Sequence, residues 1–153
     1  MVVLNIFAII PHEGDTMDLH NTTKYAIRIL NYLANESDEQ LVSAKTLSQK
    51  LDIPYKFLTK IMTNLVKEGF IVSIRGREGG FELARPANEI HLSQVLDVID
   101  GSLEDKTCIL GIGSCDDRKR CALHDQWTKP KILIRKMFEN TTLDMLKGNK
   151  FKQ

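Results

Sequence analysis

Cysteine is scarce in this chain of 153 residues: Cys108, Cys115 and Cys121 are the only three, and they lie close together. An odd, clustered set excludes the spread, even framework of a disulfide-stapled secreted domain. Aromatic residues are few as well, 7% in all, with Trp127 the single tryptophan. Neither sign of charge is in excess: 21 Lys and Arg stand against 20 Asp and Glu, a formal net charge of +1. That balance excludes a uniformly basic coat and an acidic solvating tail. A membrane-spanning helix needs roughly 20 apolar residues, and the apolar stretch Val2–Ile10 has nine. This stretch has neither a basic leader nor a clear small-residue cleavage site, so we expect no secretory signal and a cytoplasmic location. No Walker or dinucleotide-binding glycine pattern is present, and neither is an internal repeat or a low-complexity segment.

What is there suits one domain with an appendage: 42% hydrophobic and 27% charged residues suffice for a core and a soluble surface. The charges are unevenly placed. From Pro54 to Arg85 six basic residues (Lys56, Lys60, Lys67, Arg75, Arg77, Arg85) face three acidic ones (Glu68, Glu78, Glu82). From Asn88 to Asp117 seven acidic residues face Lys106 alone. This asymmetry implies a localised anion-binding face.

Residues 1–16 do not join the periodicity that follows. We expect them to be an N-terminal extension, with Met17 an alternative start. Asn21–Asn35 reads as a helix, with Ala26, Ile29, Leu30 and Leu33 at helical spacing and Asn21 or Thr22 as its cap. After the polar loop Glu36–Gln40, Ser43 is placed to cap a short helix that buries Ala44, Leu47 and Leu51 and breaks at Asp52-Ile53-Pro54. A third helix is expected from Pro54 to Glu68. Its stripe is Leu58, Ile61, Met62, Leu65 and Val66, and Gly69 is its stop. The other face carries Tyr55, Lys56, Thr59, Lys60, Thr63, Asn64 and Lys67. Such a face can read base edges and pair phosphates in a DNA major groove; a solvated face is the plain alternative.

Two helices joined by a short turn, the second bearing that face, form a helix-turn-helix. Phe70–Ile74 and Phe81–Ala84 then flank Arg75-Gly76-Arg77-Glu78-Gly79-Gly80, which reads as a hairpin, or wing. Its three glycines are expected to allow positive φ at a thin tip. Arg75 and Arg77 there can reach phosphates or a narrow minor groove. A fourth helix is expected over Leu92–Asp100, stopped by Gly101.

A longer helix, from about Asp125 to Asn140, carries Trp127, Ile132, Leu133, Ile134, Met137 and Phe138. Pro130 requires that its first turn lie nearby. The apolar surface is broad for one small domain, implying burial against a second subunit as well as within the chain. Thr141 or Thr142 is expected to cap a last turn, Leu143–Lys147, before a frayed basic tail from Gly148 to Gln153.

Cys108, Cys115 and Cys121 stand as Cys-x6-Cys-x5-Cys, with His124 next at helical spacing. Thiolates with one imidazole can hold a single soft centre, and Gly111 and Gly113 let the loop bend back. Arg118, Lys119 and Arg120 would offset its negative charge. An iron–sulfur cluster, a Cys3His zinc site and uncoordinated thiols all remain open on spacing alone. The Cys-x2-Cys knuckles of structural zinc sites are missing, and no pocket-forming motif marks a thiol enzyme.

At these residues the chain resembles the Rrf-two family of winged-helix transcription regulators. The resemblance covers Met17 to about Lys147. It rests on Lys24-Tyr25-Ala26, Leu65-Val66-Lys67-Glu68-Gly69-Phe70-Ile71, Arg75-Gly76-Arg77-Glu78-Gly79-Gly80-Phe81, and Cys121-Ala122-Leu123-His124 with Trp127. It implies a mainly α fold with a small β-wing: a winged helix-turn-helix with a long C-terminal dimerisation helix. The expected parts are a DNA-binding domain over 17–88, a linker helix and cysteine loop over 89–124, and a dimerisation helix and tail over 125–153.

The family resemblance further implies a non-enzymatic repressor, a homodimer on a double-stranded operator, controlled by an iron–sulfur cluster that senses redox state, cluster supply or nitric oxide. Three cysteines and a fourth ligand hold such a cluster. In the iron–sulfur-assembly branch the fourth ligand is the histidine just beyond the last cysteine, matched here by His124. In the nitric-oxide branch it is a partner-subunit carboxylate, and the matching position here is Lys24. A first spacer of six residues, where the assembly branch has five, leaves 2Fe–2S, the expected form, and 4Fe–4S both open. Tyr55 to Lys60 would begin the reading helix, with Lys56, Phe57 and Lys60 facing the bases. The alternative is a cluster-free regulator that uses zinc or thiols as its sensor.

Overall fold

A computed structural model of the chain describes residues 20–36, 40–99, 101 and 120–148. Among them are five α-helices: α1 (Asn21–Asn35), α2 (Ala44–Leu51), α3 (Tyr55–Lys67), α4 (Leu92–Ile99) and α5 (His124–Asn140). One hairpin, β1 (Ile71–Ile74) and β2 (Gly80–Leu83), follows α3, and short 3-10 turns lie at Ala87–Glu89 and Asp144–Leu146. The fold is therefore mainly helical with a small β-wing, as the sequence pattern implies.

α1 is the central element, packed on α2, α3, α4 and β2. Ala26, Ile29 and Leu30 have no exposed surface, and they meet Leu47, Leu58, Ile61, Leu65 and Val95 in one core. Fully burying each such aliphatic side chain contributes about 1.5–3 kcal/mol. Ser43 caps α2 as expected, its Oγ accepting from the Thr46 N–H at 3.1 Å. The turn into α3 runs through Asp52 in left-handed geometry (φ 49°). Ile53 anchors it in the core, held to Ser48 by reciprocal bonds of 3.1 and 2.7 Å.

α3 ends as its glycine predicts. Gly69 takes φ 73°, the Phe70 N–H reaches the Leu65 carbonyl at 2.9 Å, and the Gly69 N–H reaches Val66 at 3.1 Å. This is a complete Schellman motif, and it turns the chain directly into the wing. β1 and β2 pair antiparallel with Ile71 opposite Leu83 and Ile74 opposite Gly80. Val42, just before α2, adds a bridge to Phe81 through bonds of 3.1 and 2.9 Å, tying the wing to the helix-turn-helix.

Several local expectations need correction. α1 spans Asn21–Asn35 as expected, but its cap differs: His20 holds the cap position without a side-chain cap bond, and Asn21 and Thr22 lie inside the first turn. Val66, placed on the apolar stripe of α3, is 37% exposed, because the core ends at Leu65. Of the wing's three glycines only Gly76 takes a positive φ, 130°. Gly79 and Gly80 serve close approach instead. A Cβ on Gly79 would collide with the Ile74 carbonyl oxygen, and one on Gly80 would lie 2.9 Å from that of Val42.

Pro130 lies inside α5 rather than in its first turn. The helix starts at His124 because the Trp127 N–H bonds the Leu123 carbonyl at 2.8 Å. Proline there leaves the Gln126 carbonyl without its intrahelical donor. Neither Thr141 nor Thr142 caps the last turn. Thr141 Oγ1 bonds back to Met137 at 2.6 Å, and Thr142 bridges His91. Leu143, at 0% exposure, is thereby sealed into the core.

Candidate functional site

The exposed face of α3 is set by contacts behind it. Arg28 on α1 donates to the Leu51 carbonyl at 2.6 Å and lies 5.7 Å from the Tyr25 ring centre. Tyr25 meets Phe57 edge-on, with ring centres 5.7 Å apart and planes at 80°. Thus α1 clamps the end of α2 and the start of α3 together. Phe57, expected to face bases, is half-buried against this clamp and packs on the core. Tyr55, Lys56, Lys60, Thr63 and Asn64 are exposed, and Thr59 is half-buried. The Thr59 and Thr63 hydroxyls donate to Lys56 and Thr59 carbonyls at 3.0 and 2.9 Å. Each hydroxyl oxygen therefore retains lone pairs that can accept from an outside donor.

The wing tip follows from the Schellman turn. Arg75 and Arg77 are both exposed and flank Gly76, whose carbonyl accepts from the Gly79 N–H at 3.1 Å. Two guanidiniums on a two-stranded ribbon, beside a helix bearing Lys56, Lys60 and Lys67, form a cationic surface suited to phosphate.

A second group of side chains opens α5. Cys121 is half-buried and carries a thiol. Its carbonyl accepts from the His124 N–H at 3.0 Å, and His124 itself is buried at 9% exposure. Trp127, one turn on, has a buried indole Nε1 with no hydrogen-bond partner among the described residues. Arg120 pairs with Asp125 at 3.3 Å. Cys108 and Cys115, with Gly111, Gly113, Arg118 and Lys119, lie outside the described residues. Among those described, no three His, Cys, Asp or Glu side chains gather closely enough to hold a metal. Cys121 and His124 are chemically fitted to a soft centre, and the buried Trp127 N–H, three residues beyond His124 and without a partner among the described residues, suits a thiolate or sulfide acceptor. Lys24, the counterpart of the partner-subunit ligand in one branch, is half-buried in the first turn of α1.

Along α5, Phe138 packs inward. Ile132, Leu133 and Met137 remain 48%, 66% and 55% exposed, and Met145 beyond the helix 64%. No helix among the described residues is long and apolar enough to cross a membrane.

Two features here escaped the sequence reading. One is the Arg28–Tyr25–Phe57 clamp, which no local pattern announces. The other is a chain of hydrogen bonds from Arg85 to Gln94, from the His91 backbone N–H to Gln94, and from the His91 ring to the Glu139 carbonyl, of which only the capping-box spacing of His91 and Gln94 is visible in sequence.

Comparison with known proteins places this geometry. A family model named Rrf2 and described as an iron-dependent transcriptional regulator matches residues 19–149. A helix-turn-helix transcriptional regulator of Mycobacterium tuberculosis is 37% identical over 133 residues, 86% of this chain and 82% of that protein. The helix-turn-helix regulator IscR of Pectobacterium atrosepticum is 32% identical over 134 residues, 88% of this chain and 81% of that one. Among solved structures, CymR, the global cysteine regulator of B. subtilis, superposes with a TM-score of 0.74 at 20% identity, over 88% of this chain and 99% of its own.

Proposed function

Because this chain belongs to the Rrf2 family of DNA-binding transcription regulators, we propose that it works as a homodimeric repressor in the cytoplasm, gripping a near-palindromic operator under the control of an iron–sulfur centre. Cys108, Cys115, Cys121 and His124 would hold that centre, 2Fe–2S in form. The observation that carries this reading is Cys121 and buried His124 one turn apart, with a buried Trp127 N–H that has no partner among the described residues one turn further on, opening the one helix whose apolar face lacks cover among those residues. When bound, the centre supplies sensitivity to oxidants, to nitric oxide and to iron supply.

The chain's own groups do the rest. Lys56, Lys60, Thr63 and Asn64, with Tyr55 and Thr59 at the edge, face the groove, while Phe57 orients α3 from behind. Arg75 and Arg77 reach phosphate beside it. Reading helices of a dimer must meet half-sites about 34–36 Å apart. A small rotation of α5 therefore matters, and a bias of about 1–3 kcal/mol suffices to switch affinity.

Protein purified without air is expected to be coloured and to contain iron and acid-labile sulfide. His124→Ala should lose iron faster than Lys24→Ala, measured by metal analysis and by quenching of Trp127 fluorescence. A colourless, zinc-loaded or metal-free preparation would replace this reading with the zinc or thiol sensor, and the reverse order of the two variants would reassign the fourth ligand.

At the wing, Arg75→Ala and Arg77→Ala should each weaken DNA binding while leaving the melting curve in place. Each lost phosphate contact should lower the slope of log affinity against log salt by about 1. Unchanged affinity and slope in both variants would remove the wing from the interface.

A further inference from the structure

Gln94, in the first turn of α4, has a side chain that serves two elements at once. Its Oε1 accepts from the His91 backbone N–H at 3.2 Å, the reach-back half of a capping box. The same oxygen accepts from Arg85 Nη2 at 3.2 Å. The Arg85 guanidinium in turn lies 5.2 Å from the ring centre of Phe70, the residue just before β1. The Phe70 carbonyl accepts from the Ala84 N–H at 3.0 Å, so this is the root of the wing.

His91 continues the tie in the other direction. Its Nδ1 lies 2.6 Å from the Glu139 carbonyl oxygen in the last turn of α5. A carbonyl only accepts, so the ring donates there. His91 also bridges Thr142, with bonds from Leu92 to Thr141 at 2.9 Å and from Leu143 to Ile90 at 2.8 Å on either side. The root of the wing and the end of α5 are thus fastened to one residue pair that carries no part of the DNA-facing surface. Helix capping alone needs only the Gln94–His91 bond; neither the Arg85 arm nor the Glu139 arm is required for it.

We propose that His91 and Gln94 are positioning residues that hold the wing in register with the C-terminal end of α5, so that movement of α5 alters how Arg75 and Arg77 meet DNA. This inference rests on the wing reading above and is independent of which centre the cysteines hold. A polar tie suits the task because its bonds are directional, whereas apolar packing tolerates sliding.

The test is a set of affinities for one duplex, the sequence that the full-length wild-type protein selects from a random pool. Gln94→Met should weaken binding about five- to tenfold. In an Arg75→Ala/Arg77→Ala background the same change should cost less than about twofold, because the wing it positions no longer contributes. Gln94→Glu keeps the accepting oxygen and should bind like wild type. His91→Phe leaves the backbone cap intact, serves if Gln94→Met fails to fold, and should show the same dependence on background.

Equal losses in both backgrounds would mean a general loosening of the fold and would overturn the tie. So would the absence of any loss from Gln94→Met, while a silent His91→Phe would cut α5 out of it. If Arg75→Ala/Arg77→Ala alone leaves affinity unchanged, the wing reading has failed first, and the tie falls with it.

Discussion

Phe70→Ala is expected to cost about 3–5 kcal/mol of unfolding free energy, as large aromatic-to-alanine changes in packed cores do. Phe70 is 2% exposed and stands where three structures meet: the Schellman end of α3, the start of β1 and the Arg85 guanidinium. Removing the ring takes away its buried area and leaves a void between the core and the wing. It also strips Arg85 of the aromatic face beneath it, while Arg85 Nε is already buried without a hydrogen-bond partner among the described residues. Small domains have only about 5–15 kcal/mol of total stability, so much of the reserve would go. Urea titrations of wild type and variant, at similar m-values, measure the difference. Trp127 fluorescence and helical circular dichroism should move together if the domain unfolds as one unit. A loss under about 1 kcal/mol would show that the wing root can collapse around the gap and that the Phe70 ring does little to hold it.

Leu133→Glu is the second large effect. Leu133 is 66% exposed, with Ile132 and Met137 beside it at 48% and 55%. In a two-fold dimer each such side chain is buried twice, once per subunit. A buried, unpaired carboxylate on that seam opposes association strongly. If the proposed dimer forms through this face, the variant is expected to sediment as a monomer at concentrations where wild type sediments as a dimer. Its DNA affinity should fall about a hundredfold or more, because a lone reading helix loses the effective concentration that its twin provides. The charge points away from the core, so the melting midpoint of the monomer should stay close to that expected for an undimerised domain. A Leu133→Glu protein that remains dimeric and binds DNA normally would place the dimer seam elsewhere.

Local spacing makes the helices, the stop at Gly69, the cationic wing tip and the Cys121–His124 spacing legible in the sequence. Each of these depends on residues within about one or two turns of one another: side chains at i, i+3 and i+4 share a face, and a glycine ends a helix by its own φ. Residue types also carry chemistry that needs no fold to be recognised, such as thiolate softness and the forked guanidinium.

What the chain's order could not decide turns on contacts between distant residues. Phe57 sits inward because Tyr25 stands behind it, and Val66 is exposed because no described residue covers that side of α3. Gly80 is required because the Val42 backbone passes alongside, a partner 38 positions away that no periodicity reports. Leu143 belongs to the core only because Ile90 and His91 hold the segment after α5 against the start of α4. A sequence states which surfaces are apolar or charged. Which of them meet depends on packing the elements together, where burial is shared among all neighbours and a single residue's preference is outvoted.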